Sequence, residues 1–218
     1  MIKLAIFDID GTIVDAYEAI RNSLNFTLKR LGYPKVGALV VRCAVGHGDR
    51  HFIEQFVDKK DVNEGLRLYR AHHEKALLRH SKVIPGTRTL LRELKARGCK
   101  LAIASNRPPK YSKILLKHLD LLKYFDMVAC AKDKTEIKPK PILIPKILKR
   151  LKVNKDEALY VGDMAIDVRA GRNAGVRAVA VLGGSSSASE LRKAGPCAVI
   201  KKLSNVLHLS KKCQKKTY

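Results

Sequence analysis

The chain opens on the apolar run Ile2-Lys3-Leu4-Ala5-Ile6-Phe7 and turns acidic at Asp8-Ile9-Asp10. A short apolar run bounded by a turn signal predicts a buried strand, and Gly11-Thr12 supplies the turn. From about residue 83 onward, helical and strand patterns alternate. Pro85-Gly86-Thr87 predicts a helix whose Leu90, Leu91 and Leu94 share one face and which stops at Gly98. A strand over 100–104 follows, then a helix from Pro108-Pro109 to Lys117, a strand over 127–131, a helix over 142–151, a strand over 158–161, a helix over 166–174 ending at Gly175, and a strand over 176–182. Repeats of this length predict an α/β fold, a Rossmann-like parallel sheet with helices on both faces.

The segment between Tyr17 and His80 differs. It carries helical patterns over 19–31, 51–57 and 66–78, interrupted at Gly32-Tyr33-Pro34 and Gly46-His47-Gly48, and no buried strand. It reads as a small helical domain inserted after the first strand. The expected organisation is therefore a core of residues 1–14 plus 83–205, a helical insert over 15–82, and a basic tail over 206–218.

Charge is the unusual feature of a 218-residue chain otherwise ordinary in composition: 44 Lys and Arg against 20 Asp and Glu, formally +24. Such a balance attracts anionic ligands and raises the question of nucleic acid. Most of the excess follows residue 83, and the lysines from Lys201 onward, with no acid among them, read as a frayed, solvated end. Five scattered cysteines without a Cys-x-x-Cys pair suggest neither a disulfide framework nor a zinc site. Asp8 and Asp10 disqualify the amino terminus as a signal peptide, and no apolar run reaches membrane-spanning length. A soluble, cytoplasmic protein with no membrane partner is expected.

Chemistry-bearing residues recur at the predicted strand ends, where open α/β sheets bind ligands. Asp8 and Asp10, two residues apart on an extended chain, leave the first strand on the same side; taken alone, Asp-Gly is also good turn chemistry. Ser105-Asn106 offers a hydroxyl, an amide and two backbone N–H groups where a helix starts, a place that suits an anion as well as a plain helix cap. Lys138, between prolines in Lys138-Pro139-Lys140-Pro141, sits on a stiff loop able to aim a cation. Gly162-Asp163-Met164-Ala165-Ile166-Asp167 puts two carboxylates on one face of a helix start. In a parallel sheet these acids converge, and several carboxylates in one cleft need a cation; an all-oxygen set suits Mg2+.

The order Asp8-x-Asp10-Gly11-Thr12, Ser105, Lys138, Gly162-Asp163-x-x-x-Asp167 resembles the haloacid dehalogenase superfamily, over residues 3 to about 182. The helical insert resembles a type C1 cap, and the general likeness is to the phosphoglycolate phosphatase and β-phosphoglucomutase branch. The resemblance implies a Mg2+-dependent phosphatase acting on a small phosphorylated metabolite. Asp8 would be the nucleophile that forms an aspartyl-phosphate, and Asp10 the general acid and base. Ser105, Asn106, Lys138, Gly11 and Thr12 would surround the phosphoryl group, the glycine and Asn106 through backbone donors at most. Asp8, Asp10, Asp163 and Asp167 would hold the metal, Asp10 through its backbone carbonyl.

The inserted helices should choose the substrate. They hold His47, His51, His72, His73 and His80, with Arg42 and Arg50 near the Gly46-His47-Gly48 turn. His47 and Arg50 stand out as candidate contacts, although solvated helix faces account for such residues equally well. A sugar phosphomutase of the same family, a nucleotide or nucleic-acid-end phosphatase, and a basic nucleic-acid-binding protein are the alternatives.

Overall fold

The structure, a computed structural model, describes residues 2–209. The first strand, β1 (Leu4–Phe7), is followed by a two-residue strand, β2 (Val14–Asp15). The chain then forms α1 (Tyr17–Leu31), α2 (Ala38–Ala44), α3 (Asp49–Glu54) and α4 (Val62–His80). It returns through β3 (Lys82–Val83), antiparallel to β2, with Val14 opposite Val83 and Asp15 opposite Lys82. The two ends of the helical segment are thus tied together in a short ribbon.

Strand and helix alternate from there: α5 (Thr87–Ala96), β4 (Lys100–Ser105), α6 (Pro109–His118), β5 (Met127–Cys130), α7 (Leu143–Leu151), β6 (Ala158–Gly162), α8 (Ala165–Asn173), β7 (Arg177–Val181), α9 (Ala188–Lys193) and β8 (Ala198–Ile200). Apart from β2 and β3, the strands form one parallel six-stranded sheet in the order β5-β4-β1-β6-β7-β8. Strand β1 lies in the middle, with Phe7 paired to Ile103 on one side and Val161 on the other.

Alternation along the strands explains why both faces are covered. Ala5, Phe7, Leu101, Ile103, Leu159 and Val161 face Leu90, Leu91 and Leu94 of α5 and Tyr111, Leu115 and Leu116 of α6. Their neighbours Leu4, Ile6, Ala102, Ala104, Ala158 and Tyr160 face Leu143, Ile144 and Ile147 of α7 and Ala170 of α8. A strand buried on both sides must be apolar at nearly every position, and β1 reads Leu-Ala-Ile-Phe, entirely buried. The inserted helices have a core of their own, including Leu24, Leu28, Phe52, Ile53, Leu66 and Tyr69.

Beyond α2 and the β2–β3 ribbon, which the sequence reading did not anticipate, the carboxyl-terminal part departs from it as well. Helix α9 and strand β8 extend the sheet beyond residue 182, past Gly183-Gly184-Ser185-Ser186-Ser187, a run whose composition signals only a loop. The first residues of the expected basic tail are also ordered against the core. A 3₁₀ turn over Leu203–His208 buries Leu203 and Val206 against the core, because their three-residue spacing puts both on one side of the turn. The remainder of the expected tail, 210–218, lies outside the described residues. No helix among the described residues is long and apolar enough to cross a membrane.

Leu91 is fully buried between α5 and the sheet, whereas Leu39 on α2 is 74% exposed. Leu91→Ala is expected to lower the unfolding free energy by about 2–5 kcal/mol. Leu39→Ala should change it by less than about 0.5 kcal/mol. Urea denaturation of both variants checks the pair.

Candidate active site

The strand order reverses direction around β1, since the chain runs outward through β4 and β5 before returning to β6 on the other side. Such a switch point leaves a crevice beyond the carboxyl ends of the strands. Into it come Asp8 after β1, Ser105 at the end of β4, Lys138 from the loop after β5, and Asp163 and Asp167 after β6. All five are buried.

Lys138 ties these groups together. Its Nζ lies 2.7 Å from Asp167 Oδ1 and 2.9 Å from Asp8 Oδ1. It also donates to the Tyr160 hydroxyl at 2.9 Å and to the Ala104 carbonyl at 3.3 Å. Burial by itself would favour a neutral amine, but Asp167 and Asp8 outweigh it and hold the ammonium above its ordinary range. The Tyr160 hydroxyl donates to this same cluster of acceptors, lying 2.9 Å from the Ala104 carbonyl and 3.0 Å from Asp167 Oδ1.

Asp8, Asp163 and Asp167 each place a carboxylate oxygen within 4.8 Å of the others. Asp163 accepts from the Thr12 hydroxyl at 2.8 Å, the Ser185 N–H at 2.8 Å and the Tyr17 hydroxyl at 3.2 Å. Burial nonetheless pushes its carboxyl up to about 8, helped by the charges of Asp167 and Asp8. Burial also raises Asp167, and Asp8 adds to this, while Lys138 opposes it. Asp8 Oδ1 is buried and, despite the nearby ammonium, receives no well-directed hydrogen bond. Three acids facing one ammonium leave a deficit of positive charge that a divalent cation would remove, and oxygen-only donors suit a hard cation. The residues therefore fit a metal site.

Two turns hold this arrangement. Gly11 has φ +77°, and a Cβ there would run into the Tyr17 hydroxyl and the Asp163 carboxylate. Gly162 ends β6, and a Cβ on it would strike the side chain of Asp167. The backbone must pass this close for the acids of β1 and β6 to share one space.

The other expected site residues make the following contacts. The Thr12 hydroxyl points to Asp163 and orients that acid instead of facing a phosphoryl group. The Asn106 amide joins two segments, donating to the Gly46 carbonyl at 2.6 Å and accepting from the Lys138 N–H at 2.8 Å. The Asp10 carboxylate lies outside the acidic triad; Arg107 grips it, Nε to Oδ2 at 2.9 Å and Nη2 to Oδ1 at 2.7 Å. Neither His47 nor Arg50 lines the cavity. Arg50 is exposed and bonds Glu54 and Asn63 on the outside of the helices, and His47 packs edge-on to His51. On this short segment the positions turned to the cavity are Val45, Gly46, Gly48, Asp49 and Phe52.

Sequence reasoning passed over Arg107 and gave no preference to His73. Arg107 Nη1 lies 2.9 Å from His73 Nε2. A guanidinium offers no acceptor, so Nε2 accepts and the imidazole is neutral, with its proton on Nδ1 facing Ser23 Oγ at 3.0 Å. The Ser23 hydroxyl in turn donates to the Ala19 carbonyl at 2.9 Å. Desolvation, then the Arg107 charge, hold His73 well below the usual histidine range. Tyr69 stacks on its ring and Tyr111 meets it edge-on. The only available signal for Arg107 was its place directly after Ser105-Asn106, and 44 basic residues mask one arginine.

The chain resembles proteins already known. The family described as haloacid dehalogenase-like hydrolases matches residues 5–181. The chain belongs to that family and is a hydrolase. It is similar to a Caldanaerobacter subterraneus subsp. tengcongensis protein named as a pyrophosphatase, PpaX, at 35% identity over 97% of this chain and 96% of the relative. It is also similar to the phosphoglycolate phosphatase of Aquifex aeolicus, at 33% identity over 84% of this chain and 85% of the relative. Among solved structures, a Haemophilus somnus protein described as a phosphoglycolate phosphatase superposes with a TM-score of 0.88, at 22% identity over 94% of this chain and 96% of that one.

Because His73 is buried neutral, the unfolded chain binds a proton there more readily than the folded one. Its contribution to stability is complete above about pH 6.5 and is lost as pH falls toward the lowered folded value. The expected slope from this residue is up to about 1.4 kcal/mol per pH unit. His47 and His72 shift in the same direction and add a background. Urea midpoints between pH 7.5 and 5.5 should fall less steeply for His73→Gln than for the wild type.

Proposed function

We propose that this protein is a Mg2+-dependent phosphatase that hydrolyses small phosphate monoesters through an aspartyl-phosphate on Asp8, with the inserted helices serving as its cap. The observation that carries the reading is the Asp8 carboxylate, buried at the end of the central strand, lining the cavity between the sheet and the helices, with one oxygen lacking a directed hydrogen bond. The names of the relatives agree with phosphate hydrolysis. The cavity holds about 70 Å3, far below the roughly 300–1,000 Å3 of drug-sized sites. That favours a small metabolite over a polynucleotide.

Asp8, Asp163 and Asp167 would hold Mg2+, with the Asp10 backbone carbonyl as a further candidate ligand. When bound, the ion would neutralise charge on the phosphoryl group and on the acids around it. An oxygen of Asp8 attacks phosphorus while the bond to the leaving oxygen breaks, and Asp10, as general acid, delivers a proton to that oxygen. Asp10, now a carboxylate, takes a proton from water, whose oxygen attacks phosphorus and releases inorganic phosphate from Asp8. Lys138 balances the charge of Asp8 and Asp167 throughout, and Ser105 offers its hydroxyl to a phosphoryl oxygen. Thr12 keeps Asp163 aimed. The cap excludes water that would otherwise weaken these interactions.

Release of p-nitrophenol from p-nitrophenyl phosphate tests this. Turnover is expected with Mg2+ and not after chelation. Asp8→Asn should fall below about a thousandth of wild type, and Asp10→Asn should lose about 10²–10⁴-fold. Undiminished turnover in Asp8→Asn would sink the mechanism. Mg2+ should also raise the melting temperature of the wild type, and of Asp163→Asn less.

A further inference from the structure

The cavity has an uneven supply of positive charge. Two cationic side chains line it, Lys138 and Arg107, while His73 is neutral. Lys138 has three N–H donors, and its four partners, Asp8, Asp167, Tyr160 and the Ala104 carbonyl, lie on the sheet side. Asp49, from the cap, is held by Arg70 at 2.7 Å. The rest of the cap wall is largely apolar, with Ile20, Val45, Phe52 and Tyr69.

Arg107 is different. Its guanidinium carries five N–H donors. Three are engaged: two by Asp10 and one by His73. The side chain is only 5% exposed, so bulk water cannot readily serve the remaining two. Those two N–H groups sit on Nη1 and Nη2, nitrogens that already hold one partner each, and the side chain borders the cavity beside the proposed general acid. Asp10 and His73 also hold the guanidinium from two directions, so its plane is set before a ligand arrives.

We propose that Arg107 selects substrates whose leaving group carries its own anion close to the bridging oxygen, such as a phosphorylated 2-hydroxy acid or a phosphoanhydride. The inference rests on the phosphatase reading of the site. The free N–H donors of Arg107 receive the leaving-group anion, while its other edge keeps hold of Asp10. One guanidinium thereby fixes the spacing between the anion and the proton donor. When the P–O bond breaks, its electron pair stays on the leaving oxygen and the Asp10 proton moves there. The Asp10 carboxylate so formed is already paired with the guanidinium. An uncharged leaving group finds no such partner, and the apolar cap wall offers it little hydrogen bonding.

The experiment compares 2-phosphoglycolate, pyrophosphate and ethyl phosphate with Mg2+, in the wild type, Arg107→Met and Arg107→Lys. The wild type should favour the first two by kcat/KM. Arg107→Met should reduce that ratio about ten- to a hundredfold, as expected for losing charge-assisted hydrogen bonds. Arg107→Lys, which keeps the charge without the fork, should restore part of it and guards against misfolding of the methionine variant. A carboxylate anchor predicts loss for 2-phosphoglycolate and a phosphate anchor loss for pyrophosphate; loss in either ratio supports the proposal. Titration calorimetry of 2-phosphoglycolate and ethyl phosphate into Asp8→Asn, with and without Arg107→Lys, reads the same preference without turnover. If neither the ratios nor the binding preference depends on Arg107, the proposal is overturned. If p-nitrophenyl phosphate is not hydrolysed by the wild type, the phosphatase reading fails instead, and calorimetry still decides the role of Arg107.

Discussion

The contact between Lys138 and the two acids Asp8 and Asp167 is the constraint around which the crevice is organised. Buried charge is expensive unless it is paired and hydrogen-bonded. Here the ammonium reaches across the strand ends, so the loop after β5, the end of β1 and the start of α8 are held in one electrostatic unit. Removing either kind of partner would leave the other stranded. The Tyr160 hydroxyl, rising from the middle of β6, completes the unit from below and links it to the core behind the sheet.

A second polar chain runs the other way, from the sheet into the helices. Asp10 grips Arg107, Arg107 meets His73, and His73 meets Ser23 on the first inserted helix. Its members are buried for the most part, and the His73 ring is set between those of Tyr69 and Tyr111. Local low polarity strengthens each bond and penalises each break. Displacement of the helices from the core would therefore be felt at Asp10, two residues from Asp8.

The sheet was legible because strands buried on both faces must be apolar, and runs such as Leu4-Ala5-Ile6-Phe7 and Leu101-Ala102-Ile103-Ala104 have few other uses. The gathering of Asp8, Lys138, Asp163 and Asp167 followed from a topological rule that places strand ends together. What stayed hidden depends on side-chain direction. Thr12 sits in the expected turn, yet only its rotamer decides that it serves Asp163. Arg50 and His47 lie near the crevice in sequence, but α3 turns Arg50 outward, and His47, in the bend before that helix, packs on His51. His73 looked like its neighbour His72, and one is buried while the other is only partly so. Strand β8 was masked by a glycine and serine run that carries no periodicity.

The ribbon of β2 and β3 bears on how such a chain can diversify. Because Val14 and Val83 face each other, the helical segment begins and finishes at the same spot beside the sheet. Closing a loop costs free energy that grows only slowly with its length. Lengthening, shortening or exchanging the segment would therefore perturb the register of β1 very little. The sheet and its acids form a fixed socket, and the helices behave as a replaceable fitting, free to acquire new walls over an unchanged chemical floor.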